Sequence, residues 1–169
     1  MKRIIAIDYG DARTGVAVSD LTGTLAGEAL TIQEWNAEKL AQRLAFFARE
    51  RDAERFVLGL PKNMDGTEGA RAEKARQFKA LLEDASGLPV VLWDERRRTI
   101  EAHAILHAAG KKEKKHRANV DAVAATLLLE SYLASGQKSR RGEQRKARKR
   151  KLSSWLFAIY VSRRTSVRR

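Results

Sequence analysis

Two β-branched-rich runs and a third strand-like segment precede the first helical periodicity, and after it strands and helices alternate; no other feature of the chain narrows its fold as much. The runs Arg3 to Tyr9 and Thr14 to Asp20 are separated by Gly10-Asp11-Ala12-Arg13, which reads as a hairpin. A third strand over Leu25 to Gln33 completes a meander. Asn36 then offers an N-cap, and Ala37, Leu40, Ala41, Leu44, Phe47 and Ala48 recur at helical spacing to about Arg51. Arg55 to Leu60 is a short apolar strand closed by Pro61, and the loop Lys62 to Gly69 follows it. Ala72, Ala75, Phe78 and Leu82 mark a second helix, stopped by Gly87 and Pro89. Val90 to Trp93 reads as a fifth strand. Thr99 caps a helix to about Ala109, and a last helix runs from Asn119 to about Ser135. The order β-β-β-α-β-α-β-α-α predicts an α/β domain with a five-stranded mixed sheet, Asp8 on its central strand and helices on both faces.

Charge divides the chain. Residues 137–169 carry thirteen Lys or Arg against one acid, Glu143, and so hold twelve of the thirteen net positive charges. Residues 1–136, with 21 basic and 20 acidic side chains, are nearly neutral. The expectation is one domain over 1–136 and a basic tail over 137–169, disordered in isolation apart from a short apolar segment at 152–161. Within the domain, basic groups gather at Arg96, Arg97 and Arg98 and again at Lys111 to Arg117, the two places where phosphate binding is expected. The absence of cysteine excludes disulfides, thiolate zinc sites and cysteine nucleophiles, and fits a cytoplasmic protein. No run approaches the ~20 apolar residues of a bilayer span, and the amino terminus lacks the pattern of a signal peptide, so no membrane partner is expected.

Four acids stand where chemistry is expected. Asp8 closes the first strand in AIDYG, where a carboxylate can hold a hard cation rigidly; the alternative is that it opens the turn to Gly10. Asp94 and Glu95 follow the apolar run of the fifth strand, and a parallel sheet places functional groups at the carboxyl ends of its strands. Successive side chains point to opposite faces, so only one of the two can reach a given site. Arg96 and Arg98 beside them are candidates for gripping phosphate. Asp121 lies in the first turn of the last helix, on one face with Ala124, Ala125 and Leu128, whose small alanines allow close packing on the sheet; the helix dipole alone would also favour an acid there. Arg13 and Asn63 are further substrate-binding candidates, set against a solvated hairpin tip and a loop-stabilising amide respectively. His103 and His107, four apart, lack the glutamate of a metalloprotease helix and read as surface residues.

Taken together, IAIDYGDARTGVAVSD, GLPKNMDGTEG, WDERRRT and VDAVAAT resemble the YqgF or RuvX family of resolvases and pre-16S rRNA nucleases, in that order over residues 3–134. The resemblance implies a ribonuclease H-like three-layer fold and a nuclease whose catalytic acids are Asp8, the Asp94-Glu95 pair and Asp121, with Asp8, Glu95 and Asp121 as metal ligands. It implies Mg²⁺ or Mn²⁺ as cofactor and structured nucleic acid as substrate: pre-rRNA in ribosomal precursor particles, branched DNA, or both. Three convergent carboxylates holding such ions need no nucleophilic side chain. Two other readings stay open, a non-catalytic nucleic-acid-binding factor on the same fold and a phosphotransferase of the actin and sugar-kinase type, suggested by Asp8, Gly10 and Gly15. The last needs a second, similar domain for which 169 residues leave no room. A monomer and a homodimer are both compatible with the sequence.

The tail supplies the first testable expectation. Deleting 137–169 should weaken non-specific RNA and DNA binding and flatten its dependence on salt, while leaving cleavage intact. Titrations across a salt series measure this, and an unchanged slope would show that the tail is not a nucleic-acid arm.

Overall fold

A computed structural model describes residues 2–63, 65–94 and 120–136. Glu95, Arg96, Arg98, the expected helix after Thr99, the basic stretch at 111–117, the two histidines and the tail lie outside the described residues. The chain divides between Leu133 and Ala134, and every contact and site residue described below lies in the first unit.

Five strands, β1 (Arg3–Asp8), β2 (Arg13–Ser19), β3 (Ala26–Gln33), β4 (Ala53–Leu60) and β5 (Val90–Asp94), form one sheet in the order β3-β2-β1-β4-β5. The hairpin partners are antiparallel, whereas β4 lies parallel to both β1 and β5. The expected mixed sheet is therefore present, with β1 and its Asp8 at the centre. Helix α1 (Ala37–Glu50) starts at Asn36, whose side chain accepts a 2.8 Å hydrogen bond from Lys39 N. Helix α2 (Ala70–Ser86) ends on Gly87 at φ 67°, a left-handed conformation glycine adopts without steric cost. Helix α3 occupies residues 120–136.

The two faces of the sheet differ in side-chain size, and that difference sorts the helices. Ile5, Ile7, Val16, Val18, Phe56 and Leu58 point to one face and pack against Leu40 and Leu44 of α1 and Phe78 and Leu82 of α2. The alternate positions are small, with Ala6 and Ala17 beside Val57, and they receive Ala125, Leu128, Leu129 and Leu133 of α3. Closest of all is Gly15, where an added Cβ would overlap the Asp121 carbonyl oxygen and lie 2.6 Å from its carbon. The face on α3 proposed from sequence is thus the buried one, with Ala124, Ala125 and Leu128 at 5% exposure or less.

The hairpin loop is shifted by one residue from the sequence reading, to residues 9–12 in place of 10–13. Arg13 belongs to β2, paired with Gln33, so by alternation it leaves the sheet on the same side as Gly15 and Ala17. It faces α3 rather than forming part of an exposed tip.

Gly15→Ala should destabilise the domain by about 3 kcal/mol, since both colliding groups belong to regular backbone and neither can swing away. Urea unfolding measures it; an unchanged midpoint would mean that α3 does not rest on β2 at this point.

Candidate active site

Strand alternation decides where Asp8 points. Ile5 and Ile7 belong to the α1 and α2 layer and Ala6 to the α3 layer, so Asp8 leaves the end of β1 on the α3 side. Gly15, its partner across the hairpin, is the residue on which the first turn of α3 rests. The missing side chain therefore brings Asp121 over the end of β1. Asp8, Arg13 and Asp121 line one polar cleft of about 230 Å³, closed on the other side by Tyr9, Gly10, Asp11, Pro61 and the α2 residues Arg71, Lys74 and Ala75. Tyr9 stacks flat on Phe78, ring centroids 4.2 Å apart, which fixes the start of the hairpin against α2.

Asp121 sits in an electrostatically unfavourable place. Its Oδ2 is buried and accepts no hydrogen bond among the described residues, and Arg13 Nε stands 3.4 Å away, too poorly placed to donate one. Burial pushes the Asp121 carboxyl above the usual carboxylate range, and the nearby Arg13 guanidinium only partly offsets this. A carboxylate oxygen without its normal complement of donors, in a polar cleft also lined by a second carboxylate, fits a hard divalent cation, and an oxygen-only donor set favours Mg²⁺ or Mn²⁺ over zinc.

Among the described residues no three acids or histidines stand close enough to share a metal. Asp94 does not complete the set with Asp8 and Asp121, and the strand shows why. Val90 and Leu92 pack in the α1 and α2 layer, whereas Trp93 meets α3, its Nε1 donating to Ser131 Oγ at 3.2 Å and its ring edge-on to Tyr132. Asp94 has the parity of Leu92, away from Asp8. Asn63 is not in the cleft; its Nδ2 donates to Thr67 Oγ1 at 2.8 Å, and its backbone N–H donates to the Thr67 carbonyl at 2.9 Å. Asp65 likewise accepts from Thr67 within that loop. Arg71 and Lys74, by contrast, were not singled out by the sequence. Their signal is a pair of cations three residues apart that flank the buried Ala72, Ala75 and Phe78 stripe of α2.

The raised Asp121 pKa sets a pH dependence. The folded state keeps this proton above the unfolded value, so stability is lost as pH rises from the ordinary carboxylate value through the raised one. Asp121→Asn should therefore melt higher than the parent at neutral pH in chelator, and the gain should vanish below the carboxylate range. Equal melting temperatures at neutral pH would show that the ionised Asp121 imposes no cost.

Residues 2–135 match the family model described as RuvX, Holliday junction resolvase. The protein named "Putative pre-16S rRNA nuclease" from Geobacillus sp. (strain WCH70) is 42% identical over 137 residues, covering 80% of this chain and 99% of that protein. The protein of the same name from Halothermothrix orenii is 41% identical over 132 residues, covering 78% of this chain and 94% of its own. Among solved structures, T. thermophilus RuvC in complex with a Holliday junction substrate superposes with a TM-score of 0.55 at 14% identity, covering 80% of this chain and 97% of RuvC. A second T. thermophilus RuvC structure gives 0.52 at 16% identity, over 79% and 96% of the two chains. The likeness to RuvC is one of fold, and it agrees with the ribonuclease H-like sheet expected from the motifs. With a family model spanning four-fifths of its length and relatives at about 40% identity, the chain belongs to the RuvX family.

Proposed function

We propose that this protein is a metal-dependent endonuclease acting on structured nucleic acid, with 5′-end maturation of pre-16S rRNA as its role. The observation that carries the reading is the convergence of Asp8 and the hydrogen-bond-poor Asp121 Oδ2 in a cleft rimmed by Arg13, Arg71 and Lys74. Acids and cations lining one cleft match a phosphodiester, which needs its backbone gripped and charge managed at one phosphorus. The names of the relatives point to pre-16S rRNA, and the family description to a four-way DNA junction.

In this reading Asp8 and Asp121 hold a divalent cation together with Glu95. Glu95 is preferred to Asp94 because Asp94 has the parity of Leu92, on the α1 and α2 side of the sheet, away from Asp8. When bound there, the cation supplies activation of the attacking water and neutralisation of charge on the leaving oxygen. Arg13 steadies Asp121 before substrate arrives and is placed to contact a non-bridging phosphate oxygen. Arg96 and Arg98, which follow the acids in sequence, are assigned to the backbone of the same substrate. Tyr9, stacked on Phe78, holds the hairpin start in place and limits how far the cleft can deform. Rigid placement of this kind supplies most of what such chemistry asks of a protein.

Cleavage of pre-16S rRNA fragments and of a four-way DNA junction, with Mg²⁺, Mn²⁺ or chelator, tests this. Asp8→Asn and Asp121→Asn should each lower cleavage by at least ~10²-fold with the fold retained, as expected when a charged ligand is removed from a metal site. Glu95→Gln should match them and Asp94→Asn should not. Wild-type cleavage by Asp8→Asn would end the catalytic reading in favour of a binding factor, and wild-type cleavage by Glu95→Gln would end the assignment of Glu95.

A further inference from the structure

We propose that Asp11, Arg71 and Lys74 form a phosphate-binding lip on this cleft, in which Asp11 stands in for a backbone phosphate and is displaced from Lys74 when nucleic acid enters. The inference rests on the nuclease reading and concerns how the same cleft receives its substrate.

Arg71 and Lys74 lie in the first two turns of α2, three residues apart and therefore on one side of the helix, and both line the cleft that holds Asp8 and Asp121. Asp11 reaches them from the hairpin between β1 and β2. Lys74 Nζ donates to Asp11 Oδ1 at 2.7 Å across a sequence separation of 63 residues. Both side chains are largely solvated, at 55% and 75% exposure, and an ion pair so exposed contributes little to folding. Its position matters more, since both of its members line the cleft that holds Asp8 and Asp121. Other cations near the start of α2 are matched differently: Arg76 and Lys62 share Glu68, at 2.8 and 3.3 Å, away from the cleft lining.

The local field favours an anion at the place Asp11 occupies. Its carboxyl is held below the usual range chiefly by the hydrogen bond from Lys74 and the charge of that ammonium, with Arg71 adding a smaller effect through space. A phosphodiester oxygen has the charge and the hydrogen-bonding capacity of that carboxylate oxygen. A nucleic-acid strand brings successive phosphates, so it can engage the Arg71 guanidinium as well as the Lys74 ammonium. Among the described residues, Asp11, a single carboxylate tethered to the hairpin, bonds to Lys74 alone. Exchange of Asp11 for phosphate therefore trades one charge-assisted hydrogen bond for two. The stacking of Tyr9 on Phe78 keeps hairpin and helix at fixed separation while the exchange occurs.

Equilibrium binding of the full-length protein, in an Asp8→Asn background with chelator so that nothing is cut, tests the lip. The probes are a labelled single-stranded RNA oligonucleotide and a four-way DNA junction, each titrated across a salt series. Because the basic tail is common to every variant, differences among them belong to the cleft. Lys74→Gln and Arg71→Gln should each weaken binding and each lower the salt slope by about one, the counterion release associated with each phosphate that the protein neutralises. Asp11→Asn should tighten binding by about threefold, the equivalent of one exposed ion pair no longer in competition. A response with only one of the two probes supports the lip and identifies the polymer it accepts. Wild-type affinity and slope in Lys74→Gln and Arg71→Gln would overturn the proposal, as would weaker binding by Asp11→Asn, which would make Asp11 a support for Lys74 and not its competitor. Cleavage plays no part in these measurements, so failure of the lip and failure of the catalytic reading are separate results.

Discussion

Strand β2 and helix α3 meet backbone to backbone at Gly15, where any side chain would overlap the Asp121 carbonyl. The neighbouring small residues, Ala6 and Ala17 on the sheet and Ala125 on the helix, extend that close approach along the contact. Larger side chains on the opposite face keep α1 and α2 at ordinary packing distance. One face therefore builds most of the core and the other positions chemistry. Remove the close approach, and Asp121 moves away from the end of β1 even if the sheet and its other two helices survive.

Electrostatics in the cleft follow from that geometry. Asp121 is carried into a partly desolvated place by packing that it does not itself make, and Arg13 answers its charge only at 3.4 Å. In a purely structural site, such a carboxylate would be expected to find donors or to be replaced by an amide. An imperfectly satisfied acid next to a second acid is the kind of local conflict that tends to mark function.

Much of the architecture was legible because it is written in short-range periodicity. The Asn36 cap with the Leu40, Ala41 and Leu44 stripe, and the Asp121, Ala124, Ala125 and Leu128 face, depend only on residues within a few turns of one another. Strand membership of Arg13 was not legible, since it depends on pairing with Gln33 across the sheet. The choice between Asp94 and Glu95 stayed open for a similar reason: parity is obvious along a strand, but which face is which depends on Trp93 meeting Tyr132 and Ser131 from a distant helix. Arg71 and Lys74 look like any solvated charges on α2 until the fold brings Asp11 opposite them. The motifs identified the family and its candidate acids, while the rim of the cleft emerged only from tertiary structure.

The split of the cleft between β1 and α3 also bears on when a newly made chain can act. Asp8 is made well before its partner acid, which arrives only with α3, and α3 cannot dock until β2 has taken its place in the sheet. Most of the core, formed by β1 to β5 with α1 and α2, is available earlier. A nascent chain can thus assemble nearly all its framework while lacking one wall of its cutting site. Under the nuclease reading, the order of synthesis itself delays completion of the cleft.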